Sequence, residues 1–325
     1  MFHLLVGIDT EGDNQWSAEA RLNQKFENIY ELPRLHALFR KHGARPTYLV
    51  TWPVAKDPRS ASILSELRAG GDCEVGAHHH AWETPPSTPE DIRRHPYALQ
   101  LPMDQFAAQV DSLTVAIGEA VGERPVSYRS GRFGFAASHV HDLERAGYLV
   151  ESSVAPLFYE AHKGGPDFVG APPTPYFLAY DDPTVPGSSN LLELPVTAGL
   201  NRRAPRFAER LYARAPKPYQ TKRILKKLGM ARVQWFRPSY SSLDDMCAVA
   251  RRMKADGVPF VSLIFHSSEA IVGGSPYNTT ASELERFLAK LDDALAYVTR
   301  ELGASPATFS EFRAIYLGGQ RETKA

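Results

Sequence analysis

Short apolar runs rich in β-branched and aromatic residues alternate along the chain with longer segments of helical period. This alternation is typical of βα units around a parallel sheet and predicts an α/β fold. Because consecutive βα units are joined by short crossovers, the pattern constrains the topology more than any other feature. Seven strands are predicted at residues 3–9, 46–51, 73–77, 126–129, 148–153, 191–196 and 259–266.

Helical periodicity fills most of the sequence between these strands. Several of the helical segments are followed by a glycine at the C′ position, as at Gly43, Gly147, Gly257 and Gly303. Seven strands and about as many helices predict a (β/α) barrel, in which chemistry is carried by loops after the strand C-termini. An open doubly wound sheet is the alternative. Helices are predicted at residues 26–42, 63–69, 104–121, 136–146, 243–256 and 281–302.

Composition excludes several classes of protein. Lys plus Arg equals Asp plus Glu at 37 each, so no global field favours nucleic acid or an anionic membrane. Two cysteines, Cys73 and Cys247, indicate neither a disulfide framework nor a cysteine metal cluster. The N-terminus lacks the pattern of a signal peptide, and no run approaches the roughly 20 apolar residues of a membrane helix. We therefore expect a cytoplasmic protein without a transmembrane segment.

Two regions interrupt the βα pattern. Residues 158–186 are dense in Pro and Gly and indicate an ordered excursion from the sheet. Residues 201–237 carry twelve Lys and Arg residues against the single acid Glu209. This basic insertion is predicted either to line a site for an anionic ligand or to form an amphipathic helix whose cations cover apolar surface.

An acidic cluster stands at the end of the first predicted strand, in Asp9-Thr10-Glu11-Gly12-Asp13. Alternate residues of a strand share one face, so Asp9 and Glu11 are expected to point together. One carboxylate could then act as a base while the other binds a cation. The alternative is a solvated acidic turn.

A histidine cluster, His78-His79-His80, follows the third predicted strand. If the extended backbone continues, His78 and His80 project to one side and His79 to the other. Two imidazoles on one face at a strand end form half of a zinc site, which a carboxylate and a water would complete. A surface loop is the alternative.

Two further strand ends carry polar side chains. Arg129 and Arg132 close the fourth predicted strand among glycines, and guanidinium groups suit carboxylate orientation or contacts to sugar and phosphate. His266 ends the last apolar strand and is placed to act as a general acid.

These clusters occur in the order seen in polysaccharide deacetylases, the NodB-homology or carbohydrate esterase family 4-like proteins, and most closely resemble the WalW-type branch. The resemblance spans nearly the whole chain. It rests on Asp9-Thr10-Glu11, Gly76-Ala77-His78 with Trp82 and Pro85-Pro86, Tyr128-Arg129 with Gly131-Arg132-Phe133-Gly134, Glu151-Ser152-Ser153, Glu193-Leu194-Pro195, Trp235-Phe236-Arg237-Pro238-Ser239 and His266-Ser267-Ser268-Glu269.

The resemblance implies a distorted (β/α) barrel of about seven strands, forming a single catalytic domain over residues 1–325, with a divalent metal, most readily zinc. Asp9 matches the catalytic base and Glu11 the metal carboxylate. His78 matches the first metal histidine, Arg129 the arginine that orients the base, and His266 the acid that protonates the leaving amine.

The sequence departs from the family pattern at two metal ligands. The family usually has Asp where Glu11 stands, and its two histidines are commonly four residues apart, a position occupied here by Trp82. Strand geometry favours His80 as the second histidine ligand. His79 and His95 remain alternatives at this point.

The implied activity is hydrolysis of the N-acetyl amide of an amino sugar in a polysaccharide, lipopolysaccharide or glycan precursor. Trp16, Trp82 and Arg132 are the expected sugar-binding residues, and the basic insertion favours an anionic carbohydrate over a neutral one. A non-catalytic carbohydrate-binding homologue and a hydrolase of another non-peptide C–N bond are the competing hypotheses.

Overall fold

A computed structural model describes residues 1–201, 206–215 and 232–324. Its strands are short, and most of their residues are buried. In chain order they are β1 His3–Thr10, β2 Pro46–Val50, β3 Glu74–His79, β4 Ser127–Ser130, β5 Val150–Glu151, β6 Tyr176–Phe177, β7 Leu192–Glu193, β8 Ala198–Leu200, β9 Val233–Trp235, β10 Phe260–His266 and β11 Ser305–Pro306.

Seven parallel strands form a curled sheet in the order β10-β1-β2-β3-β4-β5-β7. They are the seven strands predicted from the sequence, so the predicted distorted barrel is confirmed. The prediction overran two of them, since β5 and β7 pair over two residues each. The short β6 adds antiparallel to β7 at the edge of the sheet.

A small hairpin lies against β10, at one edge of the curled sheet. Its strands β8 and β9 pair antiparallel and stand at the two ends of the basic insertion. Thr197 accepts a hydrogen bond from Ser262 N–H at 2.8 Å, and Phe236 C=O accepts one from Ile264 N–H at 3.2 Å. These bonds satisfy backbone N–H groups at the edge of β10 that would otherwise be unpaired.

The pleat of β1 divides its side chains between two layers. Leu4, Val6 and Ile8 pack outward into the main core between sheet and helices. Leu5 points into the barrel, where it packs with Phe309 of the C-terminal helix. Because side chains alternate along a strand, the inward series that begins at Leu5 ends at Asp9, at the C-terminal mouth of the barrel.

Helices surround the sheet, and four of the six predicted ones differ from prediction. The helix predicted at residues 63–69 begins five residues earlier, at Pro58. The segment 26–42 is broken at Glu31, because Pro33 lacks the N–H that a continuous helix needs and is tolerated only in a first turn. Segment 136–146 begins with a 3₁₀ turn, and segment 281–302 ends in a π turn. The α-helices are Ala18–Leu22, Glu27–Tyr30, Leu32–Lys41, Trp52–Lys56, Pro58–Ala69, Pro89–Arg94, Met103–Val121, Val140–Arg145, Arg206–Ala213, Leu243–Ala255, Ala281–Ala296 and Phe309–Lys324.

The excursion at residues 158–186 packs against the barrel and buries Phe168 and Leu178 in the main core. Gly43, Gly147, Gly257 and Gly303, predicted to follow helices, all have the positive φ of a C′ residue. Among the helices of the described residues, none has both the length and the apolar character needed to cross a bilayer.

Candidate metal centre and active site

The C-terminal ends of four parallel strands surround one cavity of about 270 Å³. Asp9 ends β1 beside His266 of β10, and His78 of β3 lies in register with Arg129 of β4. Glu11 follows directly after β1. The structure thus brings together residues that are up to 257 positions apart in the sequence, at the barrel face where such folds assemble their sites.

Glu11, His78 and His80 form a buried cluster in which the potential ligand atoms all lie within 4.8 Å of one another. The Glu11 carboxylate is 3.2 Å from His80 Nε2 and 3.9 Å from His78 Nε2. Ligands placed about 2.1 Å from one tetrahedral ion are about 3.4 Å apart, so these separations fit a single zinc-sized cation. It is the one group of this kind in the part of the chain that the structure describes.

The two histidines are also oriented for coordination through Nε2. His80 Nδ1 lies 2.7 Å from Glu83 Oε1, and His78 Nδ1 lies 3.2 Å from the carbonyl oxygen of Arg129. If each Nδ1 donates its proton to these acceptors, each Nε2 keeps a lone pair directed toward Glu11. A second polar partner on the other ring nitrogen is the usual support of metal-bound histidine.

Glu83 had no role in the sequence analysis, although an acid three residues after a candidate histidine ligand was a readable signal. Its carboxylate is buried beside His80 and also accepts a hydrogen bond from Gln24 at 2.7 Å. Burial alone would lower the pKa of His80, but the carboxylates of Glu83 and Glu11 raise it to about 9. The same negative charge would attract a bound cation.

The alternatives to His80 lie elsewhere. His79 points away from the cavity, with its ring nitrogens 3.0 Å from Tyr128 Oη and 2.7 Å from Gln109 Oε1. Burial lowers the pKa of His79 to about 4, so it is a neutral core residue. His95 does line the cavity, but it packs edge-on against Trp82 and does not belong to the ligand cluster.

Asp9 is held by a buried guanidinium. Arg129 donates a hydrogen bond of 2.6 Å to Asp9 Oδ1 and is itself fully buried. Burial alone would raise the pKa of Asp9, but Arg129, His78 and His266 together hold it below its usual range. Asp9 is therefore ionised at neutral pH, and its second oxygen lies 3.8 Å from His266 Nε2.

His266 is partly exposed to the cavity and forms a triad with two buried side chains, Glu269 and Arg237. Glu269 Oε1 lies 2.7 Å from His266 Nδ1 and accepts a hydrogen bond of 2.8 Å from Arg237. Burial would raise the pKa of Glu269, but Arg237 and His266 lower it to about 2. Glu269 is therefore a carboxylate that fixes the Nδ1–H tautomer of His266 and leaves Nε2 facing Asp9. Glu269 and Arg237 belong to motifs of the family resemblance, but neither was predicted to have a role in the site.

Aromatic side chains form the cavity wall. Trp82 is buried and stacks on His80 with ring centroids 4.0 Å apart, whereas Trp16 is 38% exposed and packs edge-on against His266. Arg132 lies over the Tyr97 ring, 3.8 Å from its centroid, and donates a hydrogen bond to a backbone carbonyl. All three predicted sugar-binding residues, Trp16, Trp82 and Arg132, thus line the cavity.

Two glycines make room for the charged side chains. A Cβ added at Gly131 would lie 2.4 Å from His80 Cδ2, and one at Gly7 would lie 2.7 Å from Arg129 Nη2. Real Cβ atoms essentially never approach other atoms so closely. Any residue other than glycine at position 131 would therefore collide with the imidazole of His80, and any at position 7 with the guanidinium of Arg129.

Comparison with solved structures shows which known fold this barrel has. A protein from Mycobacterium smegmatis described as a "putative polysaccharide deacetylase" matches with a TM-score of 0.57 and 15% identity, over 99% of this chain and 92% of that one. The chain has the polysaccharide deacetylase fold. A "putative glycoside hydrolase/deacetylase" from Parabacteroides distasonis gives a TM-score of 0.65 at 14% identity, over 97% of this chain and 71% of that one. No family model matches, and a search of curated proteins found no relative.

On this deacetylase fold the basic insertion is only partly described. Residues 202–205 and 216–231, which carry seven of its twelve basic side chains, lie outside the described residues, so its predicted place beside the cavity remains a prediction. Arg214 pairs with Asp167 at 2.7 Å, and Arg232 pairs with Asp245. Arg237, the last residue of the insertion, lines the cavity.

Proposed function

We propose that the protein is a divalent-metal-dependent hydrolase that removes the acetyl group from an N-acetylated amino sugar. One observation carries the proposal. The buried cluster of Glu11, His78 and His80 shares a cavity with an ionised carboxylate, Asp9, and a carboxylate-supported imidazole, His266. A ligand set, a base and an acid are the parts that hydrolysis of a stable amide requires.

Glu11, His78 and His80 would hold the metal, and zinc suits one carboxylate and two imidazoles. When bound, the metal would polarise the acetyl carbonyl and lower the pKa of an attacking water. Glu11, His78 and His80 all line the aromatic-walled cavity, so a water or a substrate oxygen could reach a metal held by them.

The protein side chains would move the protons. Asp9 accepts the proton of the water that adds to the acetyl carbon, and Arg129 holds the carboxylate so that its second oxygen faces the cavity. The C–N bond then breaks as His266 Nε2 gives a proton to the leaving amine, which yields acetate and the free amino sugar. Glu269 stabilises the imidazolium form of His266 that this step needs. A well-placed proton transfer contributes about 10²- to 10⁴-fold in rate.

The walls of the cavity suit a carbohydrate. Trp16 offers an exposed aromatic face for a sugar ring, and Arg132 offers a guanidinium near the same opening. Guanidinium groups bind phosphate and carboxylate through paired hydrogen bonds, so we expect an anionic saccharide to be preferred over a neutral one. A KM that rises with salt for the anionic saccharide alone would support this preference. Equal KM values for both at low and high salt would contradict it.

Acetate release with and without zinc tests the activity. Purified protein is treated with chelator, reloaded with zinc and assayed on N-acetylated oligosaccharides and nucleotide-linked N-acetyl sugars. D9N is expected to bind zinc as the wild type does but to lose turnover, because only the proton acceptor is removed. H78A is expected to lose both, because one of three ligands is missing.

Two outcomes would contradict the proposal. Equal loss of zinc in D9N and H78A would refute the division between base and ligand. A zinc-loaded protein that binds N-acetylated sugars without releasing acetate would instead be a carbohydrate-binding homologue. Thermal unfolding of both variants serves as a check that each loss does not arise from misfolding.

A further inference from the structure

Two glutamates lie side by side on the outer face of the curled sheet, the face that packs against the main core, because their neighbours Val150, Leu192 and Leu194 point into the barrel. Glu151 of β5 and Glu193 of β7 are direct register partners on adjacent parallel strands, and both are fully buried. Neighbouring strands are only about 4.8 Å apart, so the two carboxyl groups meet, and they are within hydrogen-bonding distance of each other. Two ionised carboxylates in such a place would repel strongly with no water to screen them.

The hydrogen bonds around the pair assign one proton to it. Glu151 accepts from Ser153 N–H at 2.9 Å and from the Ser153 hydroxyl, so both of its oxygens act as acceptors. Glu193 Oε1 accepts from Val154 N–H at 3.2 Å, but Glu193 Oε2 is buried with no donor. A proton on Glu193 Oε2, donated to Glu151, would satisfy this orphan atom and leave Glu151 as the carboxylate.

The pair is connected to Asp9, the proposed base, through Ser152 and Leu194, the residues that follow Glu151 and Glu193 in the chain. Arg129 Nε donates to the carbonyl of Ser152 at 2.8 Å, and Arg129 Nη2 donates to the Ser152 hydroxyl at 3.1 Å. That hydroxyl donates to the carbonyl of Leu194 at 2.8 Å. Arg129 is therefore held by the residues that directly follow Glu151 and Glu193, and it in turn holds Asp9.

We propose that Glu151 and Glu193 are positioning residues that share one proton, and that this pair fixes the spacing of β5 and β7 that seats Arg129 against Asp9. The inference rests on the proposed function, since it assigns Asp9 the role of base. It goes beyond that function because neither glutamate lines the cavity or reaches the ligand cluster.

The electrostatic surroundings agree with this geometry. Burial, followed by the charge of Glu151, raises the pKa of Glu193 well above its usual range. The titratable groups that face the pair are Tyr128 of β4 and Tyr176 of β6, and the guanidinium of Arg129 acts on the pair from the barrel side of the sheet. Among them Arg129 is the one cation. Its positive charge favours a pair that holds one proton and one negative charge over a pair in which both carboxyl groups are protonated.

A stability measurement tests the shared proton without any substrate. Unfolded Glu193 ionises at its ordinary pKa, whereas the folded side chain keeps its proton, so folding takes up a proton and stability is lost as pH rises. In E193Q the amide makes the same donor contact and cannot ionise. We expect the stability of E193Q relative to wild type to increase from pH 5 to pH 8 in urea unfolding. A difference that does not change with pH would overturn the shared proton.

Turnover tests the positioning role. E193Q is expected to keep the kcat of wild type, whereas E193L, which cannot donate to Glu151, should lower kcat about ten- to a hundredfold with KM unchanged, because a misplaced group costs rate rather than binding. If E193L does not fold, S152A takes its place, since it removes the hydroxyl between Arg129 and Leu194. E193Q with kcat as low as that of E193L or S152A would overturn the role. If the wild-type protein releases no acetate at all, the proposed function is refuted. The pH-dependent stability difference between E193Q and wild type would still test the shared proton.

Discussion

Glu83 offers a direct test of the metal centre, because it acts on a ligand without being one. Its Oε1 is 2.7 Å from His80 Nδ1, and both side chains are about 3% exposed. The substitution E83Q keeps the size and hydrogen-bonding capacity of the side chain but removes its charge. Gln24 can adapt to the new amide by turning its own, because Gln24 Oε1 has no partner in the structure.

The expected loss is one of metal affinity rather than of fold. Carboxylate partners raise the basicity of ligating imidazoles, and their removal typically weakens metal binding about 10- to 100-fold. This corresponds to ~1.4 to ~2.7 kcal/mol of binding free energy. Zinc affinity would be measured by competition with a chromophoric chelator, with thermal unfolding of the metal-free protein as a check on folding.

A matched control is available at the surface. Glu90 is 65% exposed, makes only a loose pair with Arg93 at 3.7 Å and does not line the cavity, so E90Q makes the same chemical change outside the site. E90Q is expected to bind zinc as the wild type does. Wild-type affinity in E83Q would refute the orientation of His80 derived above, and equal weakening in E83Q and E90Q would mean that only net charge matters.

Three further predictions concern other parts of the molecule. E269Q should lower the free energy of unfolding by about 3 kcal/mol in urea titrations, because it leaves the buried Arg237 cation unpaired; unchanged stability would contradict the triad. Burial lowers the pKa of His139 to about 3, so the unfolded chain binds a proton there below pH ~6.5 and stability falls as pH drops from 6.5 toward 3. H139N should flatten that fall, and parallel curves would refute the assignment. W16A should raise KM with little effect on stability, whereas W82A should weaken zinc binding and lower the melting temperature; the reverse pattern would contradict their places in the wall.

Much of the strand framework and of the candidate cluster could be predicted, because both follow from the alternation of side chains between the two faces of a strand. The alternation that buries Leu5 inside the barrel also directs Asp9 to its mouth, and it separates His79 from His78 and His80. Side chains at strand ends meet whenever parallel strands pair in register. The alternation therefore predicted that His78 and His80, and not His79, would line the cavity.

The supporting residues escaped prediction because their partners are set by tertiary structure. Glu83 and Glu269 each lie three residues after a histidine, and this spacing was their only signal in the sequence, because it does not show whether the loop folds the acid back onto the imidazole. The pairing of β8 with β9 spans about thirty residues of insertion and has no local turn signal. The break at Glu31 is the exception, since Pro33 marks the start of a new helix in the sequence itself.

The close approach of Gly131 to His80 has a consequence for protein engineering. A mutant library that aims to change the substrate range should leave positions 7 and 131 unvaried. Even the Cβ of alanine at these positions would displace the side chain of Arg129 or His80 instead of reshaping the cavity wall. The same feature provides a tool. G131A would push the imidazole of His80 aside by steric contact alone, and so would give an inactive protein in which every proposed ligand, acid and base is still present.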